Sequence, residues 1–187
     1  MKRLELAHLL RAACDIAGDR EVLVIGSQSI LGAFDEDDLP PAATASIEAD
    51  IAFLEDPDRT KADDVEAIIG EMSSFHQMNG IYAEGVHIET ALYLPPGWRE
   101  RLVSWPLQSS DPAEPRFLEP HDLAVAKLGA HRPKDLEFVD ALLQARMLVL
   151  EELRSRAALL PDEHAPTRDR ILGFLSSYPR GPQRSRA

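Results

Sequence analysis

Two carboxylates stand two residues apart in the segment 46–54, where Glu48 and Asp50 alternate with apolar residues. Such alternation is typical of a β-strand, in which side chains at positions i and i+2 point to the same face, about 6–7 Å apart. Adjacent carboxylates repel each other, and a divalent cation that prefers oxygen ligands, such as Mg²⁺, removes that repulsion. The pair therefore predicts a magnesium site, with an ordinary solvent-facing strand surface as the alternative.

A third carboxylate follows in the segment 80–94, which is predicted to form two strands joined near Gly85. Glu89 stands in the second of these strands, on a face with small and aromatic neighbours. We expect it to supply the third acid of the site. Glu84 is the competing candidate, and an ordinary surface position is the alternative for both acids.

A glycine and a hydroxyl follow the first apolar run of the chain, 21–25. Gly26 permits a tight turn and the close approach of a ligand, and Ser27 stands at the start of a predicted short helix, 27–34. Free N–H groups at a helix start bind anions, so these two residues and Gln28 are candidate phosphate contacts. Plain turn chemistry is the alternative.

Basic residues gather further along the chain, in the segment 120–135. Lys127 shares the apolar side of a predicted helix, where a lysine either extends to solvent or meets an anion. Arg132, Lys134 and Asp135 stand at the start of the next helix. The cluster predicts a second group of phosphate contacts, with scattered surface charge as the alternative.

The elements that must position these residues indicate an α+β protein whose C-terminal part is helical. We expect an α/β core at 1–118, a helical part at 119–178 packed on it, and a flexible basic tail at 179–187. The predicted helices lie at 3–17, from Thr60 to Met72, from Asp122 to 129, from Pro133 onward, at 150–160 and from Thr167 onward; the predicted strands are 21–25, 47–54 and the two within 80–94.

Composition excludes several classes of function. The 187 residues carry a formal net charge of −12, and residues 31–100 alone carry −13, which disfavours tight nonspecific binding to polyanions. The single cysteine, Cys14, excludes an internal disulfide framework and favours a cytoplasmic location. The apolar runs are too short for a membrane span, and neither a P-loop nor a dinucleotide-binding glycine motif occurs.

In this order, the pieces resemble the nucleotidyltransferase fold of the DNA polymerase β superfamily. A strand ending in Gly-Ser, a strand bearing the paired acids, a later acid, and a helical region reading DLAVAKLGAHRPKDLEFVDALL carry the resemblance, which spans about residues 20–145. The chain looks closest to the small stand-alone bacterial nucleotidyltransferase-like proteins that include toxins of toxin–antitoxin systems. The resemblance implies a small mixed sheet flanked by helices.

The resemblance also implies a role for each candidate residue. The reaction would be attack of a hydroxyl on the α-phosphate of an NTP, with loss of pyrophosphate and with Mg²⁺ as the cofactor. The acceptor would be a tRNA 3′ end, and an antitoxin protein would be the partner. Glu48, Asp50 and Glu89 would bind the metal and act with Lys127 in catalysis, while Gly26, Ser27, Gln28, Lys127, Arg132, Lys134 and Asp135 would bind the nucleotide.

The acids depart from the family pattern. The paired acids of the family are Asp-x-Asp, whereas Glu48 stands first here, and the third acid is also a glutamate. The longer side chain still binds Mg²⁺ but shifts the geometry of the site. The sequence therefore leaves open a degenerate module that binds nucleotide or a protein partner without catalysis. It also leaves open an acidic interaction protein that needs neither metal nor nucleotide.

Overall fold

The computed structural model describes residues 1–104 and 108–178 of the chain. Five short strands form one mixed sheet, and the predicted α+β class with a helical C-terminal part is confirmed. The strands are β1 (Leu23–Val24), β2 (Glu48–Ala52), β3 (Tyr82–Gly85), β4 (Val103–Ser104) and β5 (Arg116–Phe117), in the order β3-β2-β1-β5-β4. The helices are α1 (Arg3–Ala17), α2 (Pro41–Thr44), α3 (Thr60–Ile69), α4 (Ser74–Asn79), α5 (Pro120–Ala130), α6 (Pro133–Gln144), α7 (Leu150–Ala158) and α8 (Ala165–Ser176).

The directions of the strands bring acidic residues together. β1 pairs antiparallel with β2 and parallel with β5, while β2 pairs parallel with β3. Because β1 and β2 run in opposite directions and Val24 pairs with Ile51, the start of β2 lies beside the residues that follow β1. In the register of β2 and β3, Glu48 lies opposite Tyr82 and Asp50 lies opposite Glu84. The sheet itself therefore places three carboxylates on adjoining strands.

The core lies between the sheet and the helices α1 and α3, which pack against each other. Ala49 and Ile51 of β2 have no exposed surface. Because side chains alternate along a strand, their burial turns Glu48 and Asp50 to the opposite face of the sheet. The helix predicted at 3–17 is confirmed as α1. The leucines of α1 with no exposed surface are Leu6, Leu9 and Leu10.

The C-terminal helices pack on one another around α5, which contacts α6, α7 and α8. Asp122, near the start of α5, is fully buried. Arg101 donates two hydrogen bonds to its carboxylate, from Nε at 2.8 Å and from Nη2 at 3.0 Å, and Arg156 of α7 donates a third at 3.4 Å. This ion cluster ties the segment before β4 to two helices. Among the described residues, no helix is both long and apolar enough to pass through a membrane.

The prediction of a second strand after Gly85 is wrong. β3 ends at Gly85, and residues Ile88–Thr90 form a 3-10 turn. The last ladder bond of this region runs from the N–H of Val86 to the carbonyl of Ile51, at 2.8 Å. β2 ends one residue later, at Ala52. The segment after Val86 therefore pairs with no strand within the described part of the chain.

Two predicted helix starts are also displaced. α5 begins at Pro120 rather than at Asp122, because the Glu119 carboxylate caps it by accepting bonds from the N–H groups of His121 and Asp122. α8 begins at Ala165 rather than at Thr167. The division at residue 118 stays a prediction, and the predicted tail at 179–187 lies outside the described residues.

We expect Asp122→Ala to lower the free energy of unfolding by about 3–5 kcal/mol, because it leaves two arginines without their buried counter-ion. Urea unfolding followed by circular dichroism measures the change. Asp162→Ala is the matched control, since the Asp162 side chain is 98% exposed and its ion pair with Arg168 is open to water. Equal effects of the two substitutions would contradict the assigned role of the Asp122 cluster.

Candidate active site

Three carboxylates meet on the open face of the sheet. One oxygen each of Glu48, Asp50 and Glu84 lies within 4.8 Å of the other two. The first two side chains are half-buried and the third is exposed. The cluster follows from the strand register, since Asp50 and Glu84 are cross-strand neighbours and Glu48 precedes Asp50 by two positions on the same strand.

The cluster is electrostatically strained. Burial and the nearby Glu48 carboxylate raise the pKa of Asp50, and Lys127 offsets only part of this. Burial, followed by the charges of Asp50 and Glu48, likewise raises the pKa of Glu84. Both carboxyl groups therefore hold their protons more tightly than exposed ones do, because their charged forms lack sufficient counter-charge.

This donor set fits a hard divalent cation. Three carboxylate oxygens on one face supply the ligand type that Mg²⁺ prefers, and Mg²⁺ commonly completes its shell with water and substrate phosphates. The pKa values of Asp50 and Glu84 are raised because too little positive charge lies near these acids, and a bound cation would provide that charge. The residues that would hold Mg²⁺ are therefore Glu48, Asp50 and Glu84.

Gly26 allows the backbone to approach this cluster. A Cβ atom at Gly26 would lie 1.4 Å from Oδ2 of Asp50, closer than any two nonbonded atoms can stand. The N–H of Ile25 also donates to the carbonyl of Asp50, at 3.1 Å. After Gly26 the chain enters a 3-10 turn, Ser27–Gly32. The glycine is therefore required by the position of the Asp50 carboxylate.

A buried lysine faces the acids from α5. The side chain of Lys127 is only 8% exposed, and its ammonium group donates to Ser27 Oγ at 2.9 Å and to Asp135 Oδ1 at 3.2 Å. It also lies 4.7 Å from the centre of the Phe138 ring. Burial lowers the pKa of Lys127, and Asp135 opposes that shift. The lysine is thus held beside the Gly-Ser turn, where the sequence predicts a phosphate contact.

Asp135 anchors the cations of the site. It has no exposed surface and accepts bonds from Arg132 Nε at 2.6 Å and Arg132 Nη2 at 3.2 Å, in addition to the bond from Lys127. Burial acts to raise its pKa, but the bonds from Arg132 and the charge of Lys127 outweigh it, so the pKa of Asp135 is lowered. Asp135 is therefore a stable anion that orients two cations. The side chain of Lys134 makes no hydrogen bond or ion pair with any of the described residues.

A cavity of about 500 Å³ joins these groups. One end carries the acids and the cations, and the other is a wall of α5 and of the segment that contains Tyr93. The ring of Tyr93 packs directly on the backbone of Gly129, where a Cβ atom would lie 2.4 Å from Cγ of the tyrosine. The cavity brings together these predicted site residues: Gly26, Ser27, Glu48, Asp50, Lys127, Arg132 and Lys134.

Three predicted site residues do not line this cavity. The first, Asp135, is fully buried and contacts two residues that do, Lys127 and Arg132. Gln28 is fully buried, and its amide donates to the carbonyl of Ser46 at 3.2 Å. It therefore supports the chain before β2 and does not line the cavity. Glu89 lies in the 3-10 turn and lines a smaller cavity of about 180 Å³ together with residues 53–57. The structure thus places Glu84, rather than Glu89, beside the paired acids.

Tyr82 belongs to the site but was missed by sequence reasoning. Its hydroxyl donates to Glu48 Oε2 at 2.9 Å. The signal lies in the strand pairing, because Tyr82 is the cross-strand neighbour of Glu48. That pairing cannot be read from local alternation alone.

The fold and the site define a nucleotidyltransferase-type protein, in which clustered acids on a mixed sheet face a Gly-Ser turn and a lysine. Residues 4–165 of the 187 match the family described as "Nucleotidyltransferase of unknown function (DUF6036)". The chain belongs to this family. No curated protein and no solved structure matches the chain.

We expect Mn²⁺ to raise the melting temperature of the wild-type protein, and Gly26→Ala to abolish most of that rise by displacing the Asp50 carboxylate. Thermal unfolding with and without Mn²⁺ measures this. Gly173→Ala is the matched control, since a Cβ atom there meets nothing within 4 Å. A Gly26→Ala protein that keeps the full Mn²⁺ effect would show that the position of Asp50 does not govern metal binding.

The raised pKa values also predict opposite pH trends for the metal-free and the metal-bound protein. The ordinary values for Asp50 and Glu84 are 3.8 and 4.5, and above these the folded state retains protons that the unfolded chain has released. The contribution of these groups to the unfolding free energy of the metal-free protein therefore falls as the pH rises through the folded pKa values. Mn²⁺ affinity rises over the same range, because the ligands must be deprotonated. Calorimetric titration with Mn²⁺ at a series of pH values above the ordinary values of 3.8 and 4.5 measures the second trend, and a flat profile would contradict it.

Proposed function

We propose that the protein transfers a nucleoside monophosphate from an NTP to a hydroxyl acceptor, with Mg²⁺ as the cofactor. The observation that carries the proposal is the meeting, in one cavity of about 500 Å³, of three carboxylates with the Ser27–Lys127 pair. The acids would bind a divalent cation, and the basic group would bind phosphates. The family match supports the same class of reaction.

Each side of the cavity has its own task. Bound Mg²⁺ supplies positive charge at the phosphate undergoing substitution. Lys127 and Ser27 hold the phosphate oxygens on the leaving side, and the lysine offsets the charge that develops on pyrophosphate. Because Ser27 Oγ already accepts a bond from Lys127, its own proton is free to be donated to a phosphate oxygen. The side chain of Lys134, which pairs with no described residue, is available to bind the terminal phosphate.

Glu84 is the candidate for activating the acceptor. It is the exposed member of the three acids and it lines the cavity, so an acceptor hydroxyl that enters the cavity can reach its carboxylate. In the proposed step the acceptor oxygen forms a bond to the α-phosphorus while the bond from that phosphorus to the bridging oxygen breaks. Pyrophosphate leaves, and the hydroxyl proton passes to Glu84.

For the acceptor we propose a tRNA 3′ end, in a toxin-like role restrained by an antitoxin protein. The support is the resemblance to stand-alone bacterial nucleotidyltransferase-like toxins. The charge of −13 in residues 31–100 opposes an extended RNA interface, since such interfaces need many contacts from lysine or arginine to phosphate. A single RNA end that enters the cavity makes fewer of these contacts.

The second candidate is a nucleotide-binding module of the same fold without catalysis. The presence of Glu48 where the pattern of the DNA polymerase β superfamily has aspartate favours it, because the extra methylene moves a metal ligand. In this case the protein binds Mg²⁺-NTP in calorimetric titration but transfers no label. Turnover in the assay below excludes this candidate.

Incubation with each of the four labelled NTPs, Mg²⁺ and total tRNA tests the proposal. We expect label to pass to RNA with the wild-type protein, and transfer to fall by at least about a hundredfold in Asp50→Asn and Glu84→Gln. Glu89→Gln is the matched control and keeps most of the activity, since Glu89 lies outside the cavity.

Three outcomes of this assay separate the parts of the proposal. No transfer to RNA or to protein with any NTP removes the enzymatic claim for those acceptors. Transfer to protein alone removes the tRNA claim but keeps the reaction. Loss of activity in Glu89→Gln together with retention in Glu84→Gln would restore Glu89 as the third acid.

A further inference from the structure

We propose that Tyr82 is a positioning residue that holds Glu48 in the geometry of a metal ligand. Its hydroxyl donates to one oxygen of the Glu48 carboxylate, Oε2, at 2.9 Å, which leaves the other oxygen for a cation. This inference rests on the metal-binding part of the proposed function. It does not depend on the nucleotide or the acceptor.

The length of Glu48 creates the need for such a partner. A glutamate has one more methylene and one more rotatable bond than the aspartate of the family pattern, so more side-chain freedom is lost when it is fixed as a ligand. Tyr82 lies directly opposite Glu48 in the pairing of β2 with β3, at the distance over which cross-strand side chains interact. A hydrogen bond to a charged carboxylate is stronger than one between neutral groups, and it can therefore fix the longer side chain.

Tyr82 is itself held in place by α4. Its ring packs on the His76 ring, with centres 4.7 Å apart and an angle of 41° between the planes. His76 is fixed in turn by two hydrogen bonds. Its ring Nδ1 accepts from the backbone N–H of Met72 at 3.1 Å, and its backbone N–H donates to Ser73 Oγ at 3.1 Å. The hydroxyl of Tyr82 is thus aimed by a chain of contacts that begins outside the cavity.

The hydroxyl acts as a donor at neutral pH. An ordinary tyrosine hydroxyl loses its proton only at about pH 10. The phenol therefore stays protonated and does not compete with Glu48 for the cation. Outer partners of this kind orient metal ligands, and their removal typically weakens metal affinity by about 10–100-fold.

Four proteins test the inference by calorimetric titration with Mn²⁺: the wild type, Tyr82→Phe, Glu48→Asp and the double variant. We expect Tyr82→Phe to weaken Mn²⁺ binding by about tenfold in the wild-type background. In the Glu48→Asp background the same change should weaken it by less than about twofold, because the shorter acid cannot reach the hydroxyl. Saturating metal should restore any nucleotidyl transfer that Tyr82→Phe loses at low metal.

Tyr178→Phe is the matched control. Its hydroxyl also donates to a carboxylate, that of Asp140, but both residues lie outside the site, so Mn²⁺ affinity should not change. Equal losses from Tyr82→Phe in both backgrounds, or no loss in the wild-type background, would overturn the inference. A wild-type protein that binds no Mn²⁺ overturns it as well. The expected Mn²⁺ pattern without any nucleotidyl transfer would instead keep the inference and refute the proposed enzyme activity.

Discussion

Repulsion among Glu48, Asp50 and Glu84 is the constraint around which the rest of the site is arranged. The sheet register forces these acids together on one face, and burial of the alternate residues of β2 prevents that face from turning away. The chain offsets only part of the resulting charge, through Lys127 and Arg132 near Asp50 and through Lys134 near Glu84. What remains uncompensated favours a cation, and in the proposed function that cation would allow an acidic protein to bind a polyanionic nucleotide at this point of its surface.

Two buried aspartates anchor α5 to its neighbours, and one of them, Asp135, also organises the cations of the site. Asp122 joins the start of this helix to Arg101 and Arg156, and Asp135 joins its middle to the following helix through Lys127. Both acids are fully buried, and both meet arginine through more than one hydrogen bond. The same type of interaction therefore serves the stability of the helical part and the geometry of the phosphate side.

The parts of the site that depend on local pattern could be predicted from the sequence, and those that depend on strand pairing could not. The i and i+2 spacing places Glu48 and Asp50 on one face. The apolar position of Lys127 predicts a lysine that either extends to solvent or meets an anion, and in the structure it is buried and meets Asp135. The third acid was different, because alternation along 86–94 looked like a strand. The end of β2 leaves that segment unpaired, and only the register of β2 against β3 brings Glu84 to the pair.

The contact of Tyr93 with Gly129 has a consequence for how the cavity can change shape. Lys127 lines the cavity from α5, and Gly129, two residues further along the same helix, supports the Tyr93 ring that lines another part of the cavity. The position of the ammonium group beside the acids and the position of the tyrosine wall therefore depend on one helix. A substitution that displaces α5 is expected to alter both.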